Sequence, residues 1–433
     1  MHMSPVRDDF RRSQLAIAAL FFLLGFQYAT WVSRIPALKA RLDLGEAQIG
    51  LLLMTCGVGA AVSFPLVAVL MRRFGSRLLS VISALALGVV LVALSVVPDY
   101  PLTLLVLFCD GVAVGCLNVA MNAQGAALEA RYARTTMSRL HATFSAGSLL
   151  AALLASGVTA FTGTLAVHFG LAAALLAVLV VVARPGLLTD DAPAAAQDGP
   201  DQEQDGPDQE QDGPDQEQAP AAKKDRRRFA LPAAATLWMG LAMVFGTVTE
   251  GAMNDWSALY LKDVVNAGAG LAPLGIAVVS VMMVLARIFA DGWRTRFGDG
   301  RIVRTGSLLA GAGLALALLV GGVVPTLIGF ACVGLGVAAV TPCVYVAAAR
   351  QGSDALSLVA AMGTTGLLAG PAVIGFIADA TSLVWGMAAV AVSAAVVSLC
   401  ATRIGWPAPE PHPEPHPEPH PEPLDGRLAP DAG

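Results

Sequence analysis

The chain alternates between long apolar runs and short polar stretches rich in arginine. Twelve apolar runs are predicted, at roughly 13–36, 46–70, 78–97, 101–128, 138–162, 165–183, 231–261, 272–292, 302–321, 324–349, 356–380 and 383–402. A run of about 20 apolar residues crosses a hydrocarbon core of about 30 Å as a helix. The predicted class is an all-α membrane protein with twelve transmembrane helices in two six-helix halves. Asp43 and Glu46 in "DLGE" (43–46) mark a helix start, and Pro98 and Pro101 bracket the turn between the third and fourth spans.

Composition agrees with the pattern. Of the 433 residues, 56% are hydrophobic and 14% charged, against about 25% charged in soluble domains. Lys and Arg set the orientation. With the N-terminus inside, the inner segments hold 23 of the 27 basic residues and the outer ones 4: Arg34, Lys39, Arg41 and Lys262. Both termini are therefore expected in the cytoplasm of a bacterial plasma membrane. The basic N-terminus and first apolar run read as a first span, not as a removed signal peptide. The formal net charge of −5 comes largely from low-complexity segments and argues for no nucleic-acid partner.

Five regions are predicted. Residues 1–12 form a cytoplasmic N-terminus and 13–183 the first six-helix bundle. A disordered cytoplasmic linker at 184–230 carries a QDGPDQE repeat. The second bundle is 231–402, and 403–433 is a disordered Pro/His/Glu-rich tail. His412, His416 and His420 in that tail read as solvated or as a metal contact, the solvated reading being preferred. Cys56, Cys109, Cys116, Cys332, Cys343 and Cys400 all fall in apolar runs and read as reduced packing residues. No metal site and no cofactor are expected.

The halves echo each other. "RRFGSR" (72–77) is echoed by "TRFGDGR" (295–301), and "FSAGSLL" (144–150) by "GTTGLLA" (363–369). The offsets, 223 and 219 residues, suggest a duplicated six-helix unit.

With these features the chain resembles the major facilitator superfamily. "VSRIPALKARLDLGEAQIG" (32–50), "NVAMNAQGAALE" (118–129), "MSRLHATFSAG" (137–147) and "EGAMNDWSALYLKD" (250–263) resemble its MosC-like and YbjJ-like branch, related to fucose-permease-type sugar symporters. The resemblance covers about residues 13–402. It implies the major facilitator fold and alternating access, with spans 1, 4, 7 and 10 lining a central cavity. Two positions depart from the family turn after span 2: Arg72 stands where an Asp is usual and Ala68 where a Gly is usual. The gating role of that Asp does not carry over, while Arg73 stays a gating candidate. In the second half Thr295 takes the corresponding place, and Arg287 and Asp291 are spaced to pair across one helical turn. The Gly-Pro pattern of antiporters is missing from span 5, which favours symport or uniport.

Polar residues collect on the implied cavity spans. Span 1 carries Gln27, Tyr28, Trp31 and Arg34; span 4 carries Asp110, Asn118, Asn122 and Gln124. Span 7 carries Thr247, Glu250, Asn254, Asp255 and Trp256, and span 10 carries Thr341 and Tyr345. A charge at mid-span costs about 2.5–3.5 kcal/mol on insertion scales, so it persists mainly where it faces water or a partner. Gln27, Tyr28, Trp31, Asn118, Asn122, Asn254 and Tyr345 are the substrate-binding candidates.

Several of these residues have two readings. Asp110 is either a proton-binding carboxylate or the partner of Arg34. Glu250 is either a substrate or proton group or part of an outer gate. Asp255 is placed nearer the outer surface, with Trp256 a possible interfacial anchor. Glu129 reads as an inner-surface salt bridge with Arg131. His141 reads as a cap, a packing residue or a proton relay. Gly111 and Gly115 form a face for close helix packing or substrate contact, packing being preferred.

The expected function is secondary active transport of a small polar, sugar- or polyol-like solute, coupled to protons, by a monomer in the lipid bilayer. The rivals are an efflux pump for drugs or metabolites and a non-transporting membrane sensor or scaffold. No nucleophile–base motif and no phosphate loop occur, so no enzyme is expected.

Overall fold

The computed structural model describes residues 5–132, 134, 136–189 and 234–406. The repeat linker and the histidine tail therefore lie outside the described residues. The helices are α1 (Pro5–Val32), α2 (Ile35–Leu42), α3 (Glu46–Val96), α4 (Tyr100–Tyr132), α5 (Met137–Phe161) and α6 (Leu165–Ala183). They continue with α7 (Ala234–Asp263), α8 (Leu274–Phe297), α9 (Asp299–Val320), α10 (Val323–Val337), α11 (Val340–Ala349), α12 (Ser353–Ala380) and α13 (Leu383–Ala401). No strand occurs among the described residues.

Nine helical segments among the described residues are long and apolar enough to cross a membrane, and Leu274–Ala290 is a shorter apolar helix. The 51 residues of α3 would stretch about 76 Å as one rod at 1.5 Å per residue, far more than a bilayer core needs. The helix is broken at Gly75, whose φ of 70° and ψ of 166° are not helical. Predicted spans 2 and 3 are thus the two limbs of α3. Gly298, between α8 and α9, has a similar conformation, with φ 79° and ψ 149°. Gly75 and Gly298 are 223 residues apart, the offset of the sequence echo. Only glycine adopts this backbone without a Cβ clash, so the RFG motif sets the same turn in both halves.

The first half is held together by α1 on α5 and α6, and by α3 on α4 and α6. A Cβ on Gly111 of α4 would stand 1.8 Å from the Cys56 carbonyl of α3, and one on Gly115 would stand 2.0 Å from Ser63 Oγ. That glycine pair is a packing face, as preferred from its spacing. In the second half α7 packs on α12 and α13, and α9 on α10 and α13.

The halves meet through α3–α12, α5–α8, α2–α7 and α1–α7. Most of the described polar and glycine contacts between the halves lie at the end of the bundle where α2 sits. Lys39 of α2 binds Asp263 at 2.6 Å, Ser156 Oγ donates to the Gly270 carbonyl, and Gly50 meets Pro371, Ala372 and Gly375 of α12. Farther from α2, the described cross-half hydrogen bonds end with Arg287 to Ser145 at 3.1 Å.

Candidate functional site

Two carboxylates are enclosed where α1, α3, α4 and α7 converge. Asp110 of α4 has no exposure and Asp255 of α7 is 4% exposed. Gln27 Nε2 donates to Asp110 Oδ1 at 2.8 Å, and the Cys56 thiol lies 3.5 Å from Oδ2. Tyr28, next along α1, donates its hydroxyl to Asp255 Oδ1. Consecutive residues of α1 thus hold one carboxylate from each half. No basic side chain is ion-paired with either acid among the described residues. Trp31 lies one turn further on, its ring edge-on to Tyr28 at 6.0 Å.

A second polar group lies farther from α2. Arg287 of α8 donates to Ser145 of α5 at 3.1 Å and reaches Glu250 of α7 at 3.4 Å. Asn254 Nδ2 donates to the Glu250 carbonyl at 3.2 Å. On α4, Asn122 Nδ2 donates to the Asn118 carbonyl at 2.7 Å and to its side-chain oxygen at 3.1 Å. Asn118 is exposed, while Asn122, Asn254, Thr341 and Tyr345 are half-buried.

Several expectations are corrected. Arg34 does not pair with Asp110: its guanidinium donates to Thr159 Oγ1 at 2.6 Å and the Gly163 carbonyl at 2.5 Å. The reason is depth. Gln27 is level with Asp110, and Arg34 lies seven residues on, about 10 Å along the axis. Glu129 does not pair with Arg131. It accepts from the backbone N–H groups of Thr136 and Met137, donors left free at the start of α5, where a carboxylate is favoured. Trp256 has no exposure and is no interfacial anchor. Arg287 bridges to Glu250 and Ser145; the Asp291 side chain lies outside the described residues.

Other residues fall outside both groups. Gln124 bonds Ser76 Oγ and both the carbonyl and N–H of Leu188, so it ties α4 to α3 and to the segment after α6. Thr247 donates to the Gly363 carbonyl of α12 at 2.9 Å. His141 is exposed and edge-on to Phe21 at 4.9 Å. Arg73 lies over the Phe74 ring at 5.6 Å. The sequence reading missed Asp255, Cys56 and Ser145 as members of these groups. Asp255 was the detectable one, a carboxylate 21 residues into α7, between Asn254 and Trp256.

The sequence model of the Major Facilitator Superfamily matches residues 15–353. The chain belongs to the Major Facilitator Superfamily. It is 29% identical over 393 residues to an uncharacterised MFS-type transporter of Yersinia pestis, covering 88% of this chain and 93% of that one. It is also 29% identical over 410 residues to the membrane protein MosC of Rhizobium meliloti, covering 91% and 92%. That relative agrees with the branch named from the sequence. Among solved structures, a mutant of the nucleoside transporter NupG aligns with a TM-score of 0.69 at 14% identity, covering 90% of this chain and 99% of that one. FucP in its outward conformation aligns with a TM-score of 0.58 at 17% identity, covering 91% and 99%. As a superfamily member, the protein is a multi-pass membrane transporter. The buried acids on α4 and α7 sit where this superfamily transporter's two halves touch.

Proposed function

We propose that this protein carries a small polar, sugar- or polyol-like solute across the bacterial plasma membrane, coupled to protons, with twelve crossings and both termini in the cytoplasm. Twelve crossings follow when each limb of α3 crosses once and α7 and α8 cross as well. The 23-to-4 distribution of basic residues puts the α2 end outside. The cross-half contacts at that end then describe a conformation closed to the outside and open to the cytoplasm.

One observation carries the coupling: Asp110 is enclosed without a cationic partner among the described residues, and Gln27, which holds it, is one position along α1 from the tyrosine that binds the other half. An ionisable group inside a membrane protein needs a partner or a function. Binding a proton removes the uncompensated charge. Gln27 serves both states, because its Oε1 is buried and unbonded; a turned amide accepts from protonated Asp110 as readily as the present one donates. The solute occupies the space bounded by Asn118, Asn122, Asn254 and Tyr345, with Gln27, Tyr28 and Trp31 above it. Amides exchange hydrogen bonds with hydroxyls, and an aromatic face covers the apolar side of a sugar ring. Alternating access needs the α1–α7 contact to break when the outer side opens.

The test has two stages. Purified protein is first screened for thermal stabilisation by sugars, polyols and inositols. A hit is then followed into proteoliposomes with an imposed proton gradient. Wild type should concentrate the solute, and Asp110→Asn should lose accumulation while keeping exchange. Glu250→Gln is run beside it. Uphill accumulation by Asp110→Asn would move coupling to Glu250 or another group, and stabilisation only by apolar compounds would overturn the solute class.

A further inference from the structure

Asp110 is held by two side chains, one on each oxygen. Gln27 of α1 donates to Oδ1 at 2.8 Å, and the Cys56 thiol of α3 lies 3.5 Å from Oδ2. Among the described residues Asp110 is the thiol's one hydrogen-bond partner. The place of Cys56 in an apolar run suggested packing alone.

Two glycines build this contact. A Cβ on Gly111, next to Asp110 on α4, would stand 1.8 Å from the Cys56 carbonyl. A Cβ on Gly59, one turn along α3 from Cys56, would stand 2.2 Å from the Phe108 carbonyl of α4. The two backbones therefore touch on both sides of the Cys56–Asp110 pair, close enough for a side chain as short as cysteine to reach the carboxylate. Asp110 has no exposure, so water does not compete for the thiol there.

A thiol is a weak donor and a weak acceptor. Its bond to Asp110 is charge-assisted only while the carboxylate is ionised, so Cys56 favours the anion. A lysine or arginine in its place would fix the charge, and an alanine would leave Oδ2 without a donor in a dry site. A neutral sulfur keeps both protonation states within reach. We infer that Cys56 is a positioning residue of the coupling step, its thiol holding Asp110 Oδ2 and easing the departure of the proton. The inference rests on the reading of Asp110 as the proton carrier. Because α1, α3 and α4 all belong to the first half, this arrangement stays intact when the α1–α7 bond breaks.

Infrared titration of the protein in nanodiscs reads both groups without a solute. Wild type minus Asp110→Asn isolates the carboxyl band of Asp110, and wild type minus Cys56→Ala isolates the S–H stretch of Cys56. We expect the S–H band to shift as Asp110 titrates and to ignore pH in Asp110→Asn. In Cys56→Ala, Asp110 should keep its proton to higher pH, its proton affinity rising about three- to tenfold, with an unchanged melting temperature. Cys116→Ala, elsewhere on α4, should leave the titration as in wild type. An Asp110 band that titrates while the S–H band stays still would overturn the inference and leave Asp110 as the proton carrier. So would an Asp110 titration unchanged in Cys56→Ala, or a shift that Cys116→Ala reproduces. The absence of any titrating Asp110 band would instead overturn the proton reading, and this inference with it.

Discussion

Tyr28 on α1 donates its hydroxyl to the Asp255 carboxylate on α7, and this bond joins the two halves of the transporter inside the protein. A hydrogen bond to a charged group contributes about 1.5–3 kcal/mol. Tyr28→Phe should therefore raise the population open at the α2 end by roughly ten- to a hundredfold. Spin labels at the exposed positions Ala40 and Lys262 report this as a longer distance. An unchanged distance distribution would show that the bond does not hold the halves together.

The same end carries a charged tie whose response to conditions differs. Lys39 binds Glu46 at 2.8 Å and Asp263 at 2.6 Å. Burial alone would lower its pKa, but the bonds to Asp263 and Glu46 outweigh it and hold the value above the ordinary lysine value of 10.5. A raised amine pKa gives stabilisation that is complete below the ordinary value and lost as pH rises through the folded one. The tie thus stays intact between about pH 5 and 9. Lys39→Gln should loosen closure by at most about 1 kcal/mol, and this effect should shrink with added salt. Measured with the same labels, any pH dependence of closure in that range should persist in Lys39→Gln, because it belongs to other groups.

Asn118 and Asn122 bond each other along α4 and make no hydrogen bond to another helix among the described residues. Hydrogen bonds between membrane helices average about 0.6 kcal/mol, so replacing either residue by Leu should change the melting temperature little. A site that bonds solute hydroxyls loses much more when the amide is gone. Asn122→Leu and Asn118→Leu should therefore fold and lose ligand-induced stabilisation. Full stabilisation in both would shift the solute toward Gln27, Tyr28 and Asn254.

Gly111 is expected to tolerate no side chain. Its Cβ position is 1.8 Å from a backbone carbonyl of α3, and backbone cannot move aside as a flexible side chain does. Overpacking typically costs about 1–3 kcal/mol and more in severe cases. Gly111→Leu should abolish the monodisperse peak in size-exclusion chromatography. A normally folded Gly111→Leu would disprove the close α3–α4 contact, and with it the Cys56–Asp110 geometry that depends on it.

Much of the helical framework was legible in the chain. Apolar runs bounded by polar turns are local, and a bilayer needs helices whose backbone groups are satisfied within each segment. The RFG echo was legible for the same reason: Gly75 and Gly298 take up one backbone geometry because each motif contains its own glycine. The packing role of Gly111 and Gly115 followed from their spacing on one helix face.

Partners between helices were not legible. Sequence spacing says which residues share a face of one helix, but not the depth at which that face meets another. Asp110 was open to pairing with Arg34, yet the tertiary structure sets it level with Gln27 and Cys56 and leaves Arg34 to close the turn after α5. Asp255 was placed near the surface, yet the approach of α1 to α7 encloses it beside Tyr28. Glu129 had a cation two residues away, but the free N–H groups at the start of α5 were better oriented to reach its carboxylate. Local pattern determined which segments become helices and where their turns fall. The relative height and rotation of those helices, fixed only when their small residues interlock, decided which polar groups meet.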